Sequence, residues 1–80
     1  MRVNLKLSRV GMNMQEATIA KWHKRPGEAF KAGDPLYDIE TEKVTQEVTA
    51  SGDGTLVEIF VPAGENAAVG APVCSVEMKL

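Results

Sequence analysis

Few of the 80 residues have side chains that do chemistry, and they are scattered. A single lysine, Lys43, stands among Asp38, Glu40, Glu42 and Glu47 in the stretch "DIETEKVTQEV". One cysteine, Cys74, lies in an apolar run beside Val73 and Val76, and one histidine, His23, sits in "KWHK". A lone cysteine forms no internal disulfide, and its apolar neighbours point to a buried reduced thiol. His23 has no second histidine and no nearby cysteine, so no metal site is expected, and it reads as a partly exposed strand residue. No nucleophile–base pair and no glycine-rich cofactor loop occurs, so the chain is not expected to be an enzyme in its own right. Lys43 remains. Its residues alone leave two readings open: a solvated surface lysine, or an amine displayed for something else to act upon.

What positions Lys43 can be read from period and punctuation. Val3, Leu5 and Leu7 alternate with Asn4 and Lys6, the period-two pattern of a half-buried strand. Turn signals then recur at short intervals: "RPG", "AGDP", "SGDG", "PAG" and "GAP". Between them run "TIAKW", "LYDIET", "VTQEVT", "TLVEIFV" and "PVCSVEM", and no window keeps a helical period. The expected class is all-β. Ile39, Thr41, Val44 and Val48 bracket Glu42-Lys43 with strand-compatible residues, which predicts a two-residue hairpin loop. That loop holds neither glycine nor asparagine, so a type I turn is expected in place of the primed types.

An internal repeat sharpens the class. Shifted by 37 residues, Ala17–Glu40 superimposes on Gly54–Glu77 without a gap. Thr18 then meets Thr55, Gly27 meets Gly64, Glu28 meets Glu65, Gly33 meets Gly70, Pro35 meets Pro72 and Glu40 meets Glu77. Apolar positions agree too: Ile19 with Leu56, Trp22 with Ile59, Leu36 with Val73, Ile39 with Val76. Turn glycines recurring at one offset demand the same backbone twice. Two β-halves, each without a complete core, should pack about a pseudo-twofold axis. The same alignment pairs Lys43 with Leu80, so the first half turns where the second half ends, and the lysine turn and the termini are expected at opposite ends. Trp22, matched to Ile59, is expected in the core.

Bulk properties exclude several functions. With 44% hydrophobic but only 5% aromatic residues, a mainly aliphatic core without a deep pocket is expected. A chain this short buries only about 60% of its unfolded surface. The net charge of −2, with no aromatic-plus-basic face, argues against nucleic acid. No apolar run has membrane-spanning length and "MRVNLKL" has no signal-peptide block, so a soluble protein without membrane association is expected, in the bacterial cytoplasm or an equivalent reducing compartment. Charge is uneven. Asp34, Asp38, Glu40, Glu42 and Glu47 form an acidic cluster about Lys43; Lys21, Lys24, Arg25 and Lys31 form a basic one.

The stretches "GDPLYDIETEKV" and "SGDGTLVEIFVPAGENAAVGAPV" closely resemble the lipoyl domains of dihydrolipoyl acyltransferases in 2-oxo acid dehydrogenase complexes. The resemblance covers nearly the whole of residues 1–80. It implies a single carrier domain folded as a flattened barrel-sandwich hybrid of two small antiparallel sheets. It also implies lipoic acid in amide linkage to Lys43, flanked by Glu40, Thr41, Glu42 and Val44. Partners implied in the same way are a lipoate ligase or lipoyl transferase, a 2-oxo acid decarboxylase component, an acyltransferase core and dihydrolipoyl dehydrogenase. The prosthetic arm would carry the chemistry, shuttling acyl groups and electrons between active sites. Tethering would make each visit effectively intramolecular, at roughly millimolar effective concentration. An ordinary lysine, with a pKa of about 10.4, offers little free amine near neutrality, so a ligase site must generate the nucleophile. The sequence departs from the family before the second strand, where "LSRVGMNMQEAT" lacks the usual proline, has Asn13 in a serine position and carries Ala17 for a common glycine. Met12 and Met14 there either line a recognition loop or cover the edge of the core, and the second is expected. Two alternatives stand beside this reading: a biotin carrier, whose lysine typically lies between methionines, and an unmodified barrel-sandwich module used for protein contacts.

Overall fold

In the computed structural model, which describes residues 1–8 and 14–79, eight strands make two four-stranded antiparallel sheets. They are β1 (Arg2–Lys6), β2 (Glu16–Trp22), β3 (Ala29–Phe30), β4 (Pro35–Glu40), β5 (Thr45–Thr49), β6 (Gly54–Ile59), β7 (Asn66–Ala68) and β8 (Pro72–Met78). One sheet has the order β1-β8-β6-β3 and the other β5-β4-β2-β7. No helix occurs among the described residues, and none is long and apolar enough to cross a membrane. The body is elongated, 35 × 21 × 18 Å.

The 37-residue repeat is present in the backbone. Displaced by 37, residues 17–22 of β2 fall on β6, Ala29–Phe30 falls within β7 and β4 falls on β8. The four glycines with positive φ come in two matched pairs: Gly27 (97°) with Gly64 (92°), and Gly33 (89°) with Gly70 (90°). A side chain would strain that left-handed backbone, which is why glycine recurs there. Hydrogen bonds repeat as well. Gly27 N–H donates to Leu56 O at 2.7 Å and Gly64 N–H to Ile19 O at 2.7 Å, each half reaching into the other. Even the bulges correspond: the ladder slips between Ile19 and Lys21 in β2 and between Leu56 and Glu58 in β6.

Both sheets bury one face in a shared core of Leu7, Ala17, Ile19, Phe30, Leu36, Tyr37, Ile39, Leu56, Val73, Cys74 and Val76. Neither sheet alone has enough apolar surface to exclude water, so the halves are stable only together. Cys74 is buried with a free thiol, as its neighbours implied. Burial pushes that thiol up to about 11. Tyr37, also buried, is pushed up to about 12, first by burial and then by the thiolate form of Cys74.

Three points depart from or add to the sequence reading. The strands β3 and β7 were not legible, because two or three residues between turns show no alternation. Trp22 is half-buried and lies against the core instead of within it, as does its repeat mate Ile59. Its ring packs on Tyr37 at 4.8 Å between centroids, and its indole N–H donates to Val61 O at 2.9 Å. A tryptophan whose N–H finds a carbonyl at the core's edge keeps its polar end satisfied while burying the rest. The third concerns charge. Pairing of β2 with β4 sets Lys21 opposite Asp38, and Lys24 approaches Asp34 at 3.7 Å, so the basic and acidic clusters interleave on one sheet. Met14 covers the core's edge as expected; Met12, Asn13 and Leu80 lie outside the described residues.

Candidate functional site

Lys43 occupies the loop of the β4–β5 hairpin. The ladder runs from Tyr37 opposite Val48 through Asp38–Glu47 and Ile39–Gln46 to Glu40–Thr45, leaving Thr41 and Val44 to close a loop made of Glu42 and Lys43. Thr41 N–H donates to Val44 O at 2.8 Å. Val44 N–H in turn donates to Thr41 Oγ1 at 3.3 Å, and the same hydroxyl lies 3.4 Å from Val44 O. The threonine side chain thus accepts the amide that a plain turn leaves to a main-chain carbonyl. No non-glycine residue among those described has positive φ, which excludes the primed and type II turns and agrees with the type I expectation.

The loop displays its side chains outward. Glu40, Glu42, Lys43, Val44 and Thr45 are exposed, and Thr41 is half-buried. Val44 is 54% exposed, an apolar side chain left in water beside the lysine. Among the described residues, Lys43 has neither an ion pair nor a side-chain hydrogen bond. A primary amine on a pinned two-residue loop, with nothing holding it down, suits acylation by an external active site.

The lysine near the chain's end, Lys79, differs in setting. Its backbone N–H is tied to Asp53 O at 2.9 Å and it continues strand β8 without a turn. His23 lies just past β2, half-buried, with Nε2 at 2.9 Å from Asp38 Oδ1. The sequence offers it no histidine or cysteine partner; its neighbours are the carboxylates of Asp38 in β4 and Glu47 in β5, which strand pairing brings near.

Comparisons with known proteins identify the family. A sequence model of the family described as biotin-requiring enzyme matches residues 3–76. The succinyltransferase component of the 2-oxoglutarate dehydrogenase complex of Rickettsia conorii is 45% identical over 73 residues, 91% of this chain and 18% of that protein. The acetyltransferase component of the pyruvate dehydrogenase complex of Rhizobium meliloti is 41% identical over 64 residues, 80% of this chain and 14% of that protein. The chain therefore spans less than a fifth of these relatives. Among solved structures, the lipoyl domain of the 2-oxoglutarate dehydrogenase complex from Azotobacter vinelandii superimposes with a TM-score of 0.77 at 35% identity, covering 92% of this chain and 94% of that one. A multi-domain long-chain acyl-CoA carboxylase shares the fold, with a TM-score of 0.81 at 18% identity. With a family match along nearly its full length and a lipoyl domain that it covers almost end to end, the chain belongs to the biotin/lipoyl family, and within it to the lipoyl domains of the dihydrolipoyl acyltransferases of 2-oxo acid dehydrogenase complexes.

Proposed function

We propose that residues 1–80 act as one carrier domain whose Lys43 bears a lipoyl group in amide linkage. The domain then shuttles acyl groups and electrons between active sites of a 2-oxo acid dehydrogenase complex. The observation that carries the proposal is the loop itself: Lys43 is exposed, unpaired among the described residues, and held at a hairpin tip by the Thr41–Val44 bonds. The donor chemistry fits. An exposed primary amine forms an amide with a carboxylic acid once a ligase has activated that acid, and four methylenes extend the attached group away from the sheet.

When attached, the lipoyl group supplies a dithiolane that accepts an acyl group and two electrons. The protein supplies display and collision geometry. Glu40 and Glu42 ring the lysine with negative charge, and acylation removes the one positive charge of the loop. A net acidic tip of this kind steers encounter with basic partner surfaces. The partners supported by the family are a lipoate ligase or lipoyl transferase, the decarboxylase, the acyltransferase core and dihydrolipoyl dehydrogenase. The free, buried thiol of Cys74 is in keeping with a reducing compartment. Biotin is the runner-up cargo, but Lys43 has Glu42 and Val44 beside it where biotin carriers typically have methionines.

Incubation with a lipoate ligase followed by intact-mass and peptide spectrometry tests the assignment. The wild type should gain one lipoyl mass on Lys43. Lys43→Gln, and the swap Glu42→Lys/Lys43→Glu, should gain none, because a ligase reads the position of the amine on the loop. A lipoyl mass on Lys79, a biotinyl mass on Lys43, or undiminished modification of Lys43→Gln would overturn the proposal.

A further inference from the structure

We propose that His23, Asp38 and Glu47 form a site for a divalent cation of the zinc class, on the same sheet that carries the lysine hairpin. Each residue offers one ligand atom, and these atoms all lie within 4.8 Å of one another. The three come from separate places in the sequence: His23 just past β2, Asp38 in β4 and Glu47 in β5. All three are fixed by backbone bonding. His23 N–H donates to Leu36 O at 2.8 Å, and Asp38 and Glu47 are direct partners across the β4–β5 ladder.

That partnership calls for an explanation. Like charges directly opposite one another in a sheet are destabilising. Asp38 has His23 at 2.9 Å, but Glu47 has no ion pair or side-chain hydrogen bond among the described residues. The internal repeat supplies a comparison within the same molecule. Shifting His23 and Asp38 by 37 residues leads to Phe60 and Ser75, and the residue opposite Ser75 across β1–β8 is Asn4. The equivalent place in the other sheet is thus occupied by Phe60, Ser75 and Asn4, none of them charged. The architecture does not require a histidine and two carboxylates there.

The distances suit a small cation. Zinc bound at about 2.0–2.2 Å by nitrogen and oxygen in a tetrahedral arrangement holds its ligand atoms about 3.4 Å apart. The His23–Asp38 separation of 2.9 Å is already within reach of that spacing, and exposed Glu47 closes the remainder by side-chain rotation. One imidazole with two carboxylates is a borderline donor set. It selects zinc-like ions over calcium and magnesium, which favour all-oxygen shells, and over copper(I), which favours thiolates. Glu47 is exposed, so a tetrahedral ion held there would take its fourth ligand from water. Lys21, opposite Asp38 on its other side, opposes the cation's charge and limits the affinity.

The unlipoylated protein, in buffer free of chelators, would be titrated with zinc chloride by calorimetry and with cobalt chloride by visible absorption, while amide NMR shifts locate the ion. One-to-one binding is expected, with the largest shifts at His23, Asp38 and Glu47. His23→Gln and Glu47→Gln should each weaken binding at least about tenfold while retaining the wild-type circular dichroism; Glu58→Gln and Lys43→Gln should bind as the wild type does. The absence of saturable binding, undiminished affinity in His23→Gln, or shifts centred at the N-terminus would overturn the proposal. Lys43→Gln separates this outcome from the fate of the lipoyl assignment.

Discussion

A methyl group added at Gly54 should cost this fold more than a methyl group at any of the four glycines with positive φ. A β-carbon built there lies 2.5 Å from Glu77 O and 2.9 Å from Cζ of Phe30. The oxygen belongs to β8, which pairs with β6 through the very centre of one sheet, so it does not move aside without opening that ladder. Overpacking of this kind costs roughly 1–3 kcal/mol, and a fixed backbone atom argues for the upper end. A chain of this size has total stability on the order of 4–12 kcal/mol. A loss of about 3 kcal/mol lowers the melting temperature by about 12–24 °C. Gly27→Ala is the control: no atom lies within 4 Å of its β-carbon, so only the left-handed backbone (φ +97°) is penalised, by about 1–2 kcal/mol. The repeat explains why the first half tolerates alanine at the equivalent Ala17. Ala17 faces Ala67 across β2–β7, whereas Gly54 faces Phe30 across β3–β6, so volume has been exchanged between the two members of each pair. Urea unfolding of the wild type, Gly54→Ala, Gly27→Ala and Gly54→Ala/Phe30→Ala decides the matter. A midpoint for Gly54→Ala at or above that of Gly27→Ala would refute the reasoning, while the coupling in the double variant measures the share of the clash that Phe30 carries.

Two further outcomes are expected. Thr41→Val removes the hydroxyl that holds Val44 N–H; it should cost only about 0.5–1.5 kcal/mol in global stability yet lower kcat/KM for ligase-catalysed modification, with Thr41→Ser restoring most of it, and equal rates for all three proteins would argue against a pinned loop. The raised pKa values of Tyr37 (about 12) and Cys74 (about 11) mean that the folded state keeps protons the unfolded chain has lost, so stability should be fully present below about pH 9 and fall as pH rises from there towards 12. Urea midpoints at neutral and strongly alkaline pH check the sign, and Tyr37→Phe should flatten the decline.

Much of the architecture was legible because it is written twice. A single glycine before a turn is ambiguous, but Gly27 and Gly33 recurring as Gly64 and Gly70 constrain backbone conformation and chain path together. The lysine loop was legible for a related reason, since strand-compatible residues on both sides leave only Glu42 and Lys43 to turn. What escaped depended on pairing between distant segments. The strands β3 and β7 exist only because β6 and β2 offer them ladder partners. Trp22, three residues beyond buried Ile19, would face away from the core in an unbroken strand, and only the bulge between Ile19 and Lys21 sets it opposite Tyr37 at the core's edge. Nor do separate runs of acids and bases reveal that β2 and β4 will lie side by side. The approach of His23 to Asp38 and Glu47 rests on that same adjacency, with a bulge between Ile19 and Lys21 setting which residue faces which.

The first and last described strands close on each other. Met78 N–H donates to Met1 O at 2.7 Å, and the amino terminus reaches Met78 O at 3.0 Å, so β1 and β8 occupy in one sheet the places that β5 and β4 occupy in the other. Where the second sheet joins β4 to β5 through the Glu42-Lys43 loop, the first sets Met1 beside Met78 in the equivalent place. Linking Lys79 to Met1 with a short linker and opening the chain between Glu42 and Lys43 would give a circular permutant, a ring opened at that loop, with every ladder retained. The backbone would be blind to the change, while a displayed loop would become a loose end. The position of the cut, more than the fold, decides which pole of such a ring presents a lysine to its surroundings.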